Sequence, residues 1–184
     1  MSKFRGFIAI DIPINKKFLE MENEIKNTAA DLKLVEPENI HVTLKFLGDT
    51  DEENIDKIGE IIKNSVKDIN SFNIKLKGSG VFPNKSYIKV IWIGLENAEK
   101  IGEIAKKIDE QLKNLGFQVE KRGFSAHLTI ARVKSSRNKE KLLQIIEKYK
   151  DVEFATINVS SVKLKKSDLT PKGPIYTTLK ELKL

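Results

Sequence analysis

The chain holds 184 residues, 40% of them apolar, with 33 Lys and Arg against 26 Asp and Glu for a formal charge of +7. That length and apolar share support a real core and exclude a disordered tail protein. The absence of cysteine excludes a disulfide framework, a thiol nucleophile and a thiolate metal site. No apolar run nears the roughly 18 residues of a membrane span, and MSKFRGFIAIDIP lacks a signal-peptide pattern, so a soluble, cytoplasmic protein is expected. The basic excess favours salt-sensitive attraction to polyanions without establishing it. The Lys, Glu and Ile bias resembles that of proteins from hot environments, while the many Asn residues argue the other way.

In chain order, Phe4 to Ile12 alternates like a strand, and Lys16 to Ala30 carries Phe18, Met21, Ile25 and Ala29 at helical spacing. After the Pro37 loop, His41 to Leu47 reads as a strand closed by Gly48, and Thr50 with Glu53 as a capping box. The helix it opens has Ile55, Ile58, Ile62, Val66 and Ile69 as its inner stripe, and a strand from Phe72 to Lys77 follows. The order then repeats. A strand Tyr87 to Gly94 precedes a helix Asn97 to Leu115 stopped by Gly116; a strand Ser125 to Val133, a helix Asn138 to Tyr149 and one long strand Glu153 to Lys165 complete the second unit. Ile175 to Leu182 reads as a last strand.

Two β-α-β-α-β units predict an internally duplicated, two-lobed α+β fold, with two sheets of antiparallel type and outer helices around a central groove. One domain over residues 1–184 is expected, with lobes at about 1–78 and 86–165 and a C-terminal strand at 175–182.

The chain contains two histidines, and both open one four-residue pattern: His41-Val42-Thr43-Leu44 and His127-Leu128-Thr129-Ile130. Each sits in the third element of its repeat. On a strand, His41 and Thr43 point one way, about 6 to 7 Å apart, while Val42 and Leu44 point into the core. The same holds for His127 and Thr129 against Leu128 and Ile130. Pseudo-twofold lobes set two imidazoles and two hydroxyls across a pocket that suits one phosphate. One neutral imidazole takes a proton from an attacking water while one imidazolium gives a proton to the leaving oxygen. The hydroxyls donate to non-bridging phosphate oxygens.

With FRGFIAIDIP, HVTLKFLG, GSGVFPN, YIKVIWIGL and HLTIAR, the sequence resembles the 2H phosphoesterase superfamily. Within it, the match is to the LigT-like RNA 2',3'-cyclic phosphodiesterases, also called 2'-5' RNA ligases. The resemblance covers residues 4 to 134 and is consistent in layout beyond them. It implies metal-independent hydrolysis of a terminal 2',3'-cyclic phosphate to a 2'-phosphate, with no cofactor. It also implies His41 as the general acid toward the 3' oxygen and His127 as the general base. RNA with a cyclic phosphate end, tRNA fragments among the sources, is the partner it implies; a monomer is the default.

Phe46 and Arg132 each lie five residues after a motif histidine. Strict alternation turns both away from the histidine face, but both lie at strand ends, where twist or a bulge can re-aim a side chain toward the groove, and there ring and guanidinium would flank the terminal base; Arg132 has the phosphate as its other target. Competing readings are plainer. A lone strand histidine is usually structural, yet the duplicated motif favours catalysis; a zinc site needs three or four ligands, and none is legible beyond the two histidines. Gly78-Ser79-Gly80 reads as a turn with Phe82 as core or groove wall, Trp92 as core, and Lys163, Lys165, Lys166, Lys134 and Arg137 as solvated charge outside the site. Ligation of cyclic phosphate to 5'-hydroxyl ends, and a catalytically inactive RNA-binding module, are the alternatives to hydrolysis.

Overall fold

The first strand of the computed structural model, which describes residues 2–184, is β1 (Lys3–Asp11), and it is apolar on both faces because it lies inside a sheet. Phe4, Phe7, Ile8, Ala9 and Ile10 are all buried there. Helix α1 (Lys16–Asn27) starts at Asn15, whose side-chain oxygen accepts from the Phe18 N–H at 3.0 Å. It stops short of Ala30, because Ala29 turns to a φ of 50°, and the chain passes into an unanticipated short strand, β2 (Leu32–Leu34).

Strand β3 (His41–Asp51) runs past Gly48, which takes a φ of 67° at an irregularity without ending the strand. Thr50 therefore lies within β3, its hydroxyl bonded to the Gly48 carbonyl at 3.2 Å, and the expected capping box does not form. A 3-10 turn, Glu52–Asn54, opens α2 (Ile55–Val66) instead. Ile58, Ile62 and Val66 are buried as the spacing predicts.

Strand β4 (Phe72–Pro83) likewise continues through Gly78-Ser79-Gly80, which is not a turn. The reason is Trp92: its indole lies against Gly80, where a Cβ would stand 2.2 Å from the ring. Strand β5 (Ile88–Glu96) leads to α3 (Glu99–Leu112), and a 3-10 turn closes at Gly116, with φ 86°. Strand β6 (His127–Val133) and helix α4 (Lys139–Lys148) follow. The predicted long strand is two, β7 (Glu153–Val159) and β8 (Ser161–Thr170), because the chain changes sheets at Ser160. β9 (Gly173–Lys183) ends the fold.

The sheets run β3-β1-β8-β9 and β2-β6-β5-β4-β7, antiparallel throughout. They confirm the duplicated α+β architecture but do not coincide with the two halves of the chain. β4 leaves the first half to pair with β5, and β8 leaves the second half to pair with β1. Each half thus completes the other's sheet. β3 with β1 and β6 with β5 occupy equivalent places, and one apolar cluster joins all of them. β3 and β6 themselves touch, which sets the two histidine strands side by side.

One buried carboxyl lies outside this logic. Glu22 on α1 is 5% exposed, and its Oε1 has no hydrogen-bond partner. Burial pushes its pKa up to about 7, with Glu36 adding to the rise and Lys26 opposing it. The unfolded chain loses this proton from about pH 4.5 upward while the folded chain keeps it until about 7, so stability falls across that window and the penalty is complete above it. Glu22→Gln is therefore expected to raise the melting temperature at pH 8, by on the order of 1–3 kcal/mol of stability, and to leave it unchanged near pH 4. Thermal denaturation at both pH values checks this.

Candidate active site

Both imidazoles are held by one device. His41 Nδ1 lies 2.6 Å from the Asn39 carbonyl and His127 Nδ1 lies 2.8 Å from the Ser125 carbonyl, each acceptor being two residues upstream. A carbonyl accepts, so each Nδ1 carries a hydrogen and each Nε2 is the nitrogen left with a lone pair to accept one. Thr43 Oγ1 lies 2.9 Å from His41 Nε2 and donates to it in the neutral ring. Thr129 takes the same offset on β6, opposite Trp92 of β5. Val42, Leu44, Leu128 and Ile130 are buried behind them.

Each motif ends in a bulge at its fourth residue. On β3, Thr43 pairs with Ala9 and Lys45 with Ile8, which leaves Leu44 unpaired. On β6, Thr129 pairs with Trp92 and Ala131 with Ile91, which leaves Ile130 unpaired. The extra residue resets the alternation. Lys45 and Ala131 turn inward and are nearly or fully buried, while Phe46 and Arg132 turn out to the face that carries the histidines. Arg132 comes close enough to His41 and to Tyr176 on β9 to influence the titration of both. Phe46, 71% exposed, opens onto a cavity of about 410 Å³ that it shares with Asn54, Phe117 and Gln118 and that does not include the histidines.

The surroundings of His41 contain groups that strand periodicity did not select. Phe7 and Tyr176 place their rings 5.1 and 5.4 Å from the imidazole. Asp11 stands opposite His41 in the β1–β3 register. Its carboxylate accepts from Lys163 at 2.8 Å and Lys165 at 2.5 Å, and these bonds hold Asp11 below its ordinary value although burial opposes them. Lys165, read from sequence as solvated, is buried, and its ammonium lies 6.0 Å from the Tyr176 ring centre. Burial is the chief cause that pushes the His41 imidazole below its ordinary value. The Asn39 carbonyl and Asp11 pull it back up; Lys165 and Arg132 push it further down. A legible signal existed: a single carboxylate in the apolar run FIAIDIP calls for a cationic partner.

His127 has a different wall. Gly94 stands where the other lobe has Asp11. Phe82 packs edge-on at 5.1 Å and also meets Trp92 at 5.3 Å, so Phe82 is groove wall and Trp92 is part of the groove lining rather than simple core. Among the described residues no group of three or more His, Asp or Glu side chains is assembled to hold a metal ion, and no helix is long and apolar enough to cross a membrane.

Duplicated H-x-T strands on two exchanged antiparallel sheets are the layout of a 2H phosphoesterase. A sequence model of the AKAP7 2'5' RNA ligase-like domain matches residues 7–184, and the chain belongs to this LigT-like family. A Methanocaldococcus jannaschii protein named RNA 2',3'-cyclic phosphodiesterase is 50% identical over 179 residues, covering 96% of this chain and 99% of that protein. A Methanothermobacter thermautotrophicus protein of the same name is 39% identical over 184 residues, covering 99% of this chain and 100% of its own length. In fold, the chain matches Escherichia coli LigT complexed with 3'-AMP at a TM-score of 0.72 and 20% identity, covering 100% of this chain and 99% of that one.

The electrostatic reading of His41 has a direct check in the free protein. Lys165→Met is expected to raise the His41 imidazole titration and Asp11→Asn to lower it further, both followed by NMR of the ring C–H resonances. Opposite or absent shifts in both variants overturn it.

Proposed function

We propose that this chain hydrolyses RNA 2',3'-cyclic phosphate ends to 2'-phosphates, using His41 and His127 as a paired acid and base and no metal or cofactor. The observation that carries the reading is the pair of Nδ1–H bonds to carbonyls two residues upstream, which leaves one Nε2 per motif for proton transfer, on two strands that touch. The names of the full-length relatives support the substrate class.

The step balances as follows. Water adds to phosphorus while one neutral Nε2 takes its proton; the bond from phosphorus to the 3' oxygen breaks, and the other, protonated ring supplies the proton that makes the 3'-hydroxyl. Following the family, His41 is the acid and His127 the base. Thr43, which donates to Nε2 in the free protein, rotates to a non-bridging oxygen when phosphate is present, and Thr129 does the same from β6. Arg132, beside His41, suits the phosphate or the face of the terminal base; Phe46, exposed one bulge beyond Thr43, suits the base.

Both motifs lie on one chain, so a monomer completes the site. The reading places it in the cytoplasm, on RNA ends such as those of cleaved tRNA. The family's ligase chemistry uses the same groups with a 5'-hydroxyl in place of water. Incubating the cyclic end with and without a 5'-hydroxyl oligonucleotide separates the two reactions.

His41→Ala and His127→Ala are each expected to lower kcat about 10²–10⁴-fold with the circular dichroism spectrum intact, and parent activity is expected to persist in excess chelator with a 2'-phosphate as product. Full activity in either variant removes the paired role. Phe46→Ala and Arg132→Ala are expected to raise KM for a cyclic nucleotide; unchanged kinetics in both takes them out of the site. Because burial disfavours charge on His41 in the free protein, its titration is expected to rise when the anionic substrate binds. This appears as a higher apparent acid pKa in the kcat profile than in kcat/KM.

A further inference from the structure

We propose that the β4–β5 hairpin is a stacking track for single-stranded RNA, in which the nucleotides preceding the cyclic end lie over Phe82 and Tyr87 while Lys89 faces their backbone. This deepens the cyclic-phosphate reading and rests on it for the position of the RNA terminus.

The track starts at the site. Phe82 touches the His127 ring at 5.1 Å and Trp92 at 5.3 Å. Along β5, Ile91 and Ile88 are buried against the core, and Trp92 and Val90 lie on the opposite, groove face. Phe82 pairs with Val90 and Pro83 with Ile88, so Lys89 is an extra residue, and Tyr87 stands exposed in the bend immediately before β5. Tyr87 is 60% exposed and Phe82 36%. Large aromatic rings at that exposure do little for the core, and each presents a face to which any base stacks.

The hairpin is also preorganised and carries a lysine beside its exposed ring. Asn84 Oδ1 accepts from the backbone N–H groups of Ser86 at 3.0 Å and Tyr87 at 2.9 Å, which fixes the loop before RNA arrives. Lys89 Nζ stands 5.2 Å from the Tyr87 ring centre. Lys85, by contrast, is paired with Glu147 on α4. The β8–β9 hairpin exposes the aliphatic Leu169 and Ile175, and its aromatic ring, Tyr176, is packed against His41 and Phe7.

The test compares a hexaribonucleotide ending in a 2',3'-cyclic phosphate with a 2',3'-cyclic mononucleotide. The ratio of their kcat/KM values is expected to fall about tenfold in Tyr87→Ala, further in Tyr87→Ala/Lys89→Ser, and to return in Tyr87→Phe. Fluorescence anisotropy of a labelled hexaribonucleotide is expected to show a matching rise in Kd, with a shallower salt dependence in the double variant. A ratio and a Kd within twofold of the parent, or a loss produced by Ile175→Ser and not by Tyr87→Ala, overturns the track. A parent protein that turns over neither substrate defeats the cyclic-phosphate reading alone, since the anisotropy arm still decides whether Tyr87 binds RNA.

Discussion

A backbone carbonyl two residues ahead of each imidazole decides what that imidazole does. It holds a hydrogen on Nδ1, aims Nε2 outward and leaves one nitrogen per ring to change charge. The carbonyls are themselves braced from elsewhere in the fold. Asn39 closes a 3-10 turn and donates its side-chain amide to the Pro174 carbonyl, which ties the first motif to the β8–β9 hairpin. Ser125 lies at the end of a loop that Lys45 of β3 grips through the Gln118 carbonyl, at 2.5 Å, and through Asp109, whose other oxygen accepts from the Glu120 N–H at 2.9 Å. A strand carrying one histidine therefore holds the start of the loop that leads to the other.

The bulges do for the second layer of the site what the carbonyls do for the first. Without an unpaired Leu44 and Ile130, the period of two would bury Phe46 and Arg132 and expose Lys45 and Ala131. Lys45 inward is what makes the brace to Asp109 possible, so the same extra residue re-aims one side chain to the groove and another to the strut. On β6 the inward position is Ala131, fully buried and without charge; the duplicated geometry persists where the side-chain use has diverged.

How much of this was legible follows from the range of each signal. Helix stripes such as Ile58-Ile62-Val66 and Ile101-Ile104-Ile108 are local and all buried as spaced, and Gly116 stops its helix with a φ of 86°. The histidine motifs are local too, and the duplication made them stand out. What failed was decided by partners distant in the chain. Glycines at 48 and 80 look like strand ends, but one tolerates an irregularity and the other makes room for Trp92. The run from Glu153 to Lys165 reads as one strand because both pieces alternate well, and only the sheets on either side of Ser160 divide it. Lys165 reads as solvated because its counter-ion, Asp11, lies 154 positions away.

The two lobes repeat a backbone, but catalysis by an acid and a base needs them to differ. The difference lies in what surrounds each ring. His41 is enclosed by Phe7 and Tyr176 and flanked by Lys165 and Arg132, so a positive charge there is disfavoured, with Asp11 the one nearby carboxylate opposing the trend. Its counterpart on β6 faces Gly94 in place of Asp11 and has a single edge-on ring, Phe82, against it. In the proposed role of acid, His41 must gain a proton that its surroundings resist, and an anionic phosphate bound between the motifs would supply the missing negative charge. On that reading proton uptake by His41 accompanies binding of the anion, because the charge that favours the imidazolium arrives with the substrate.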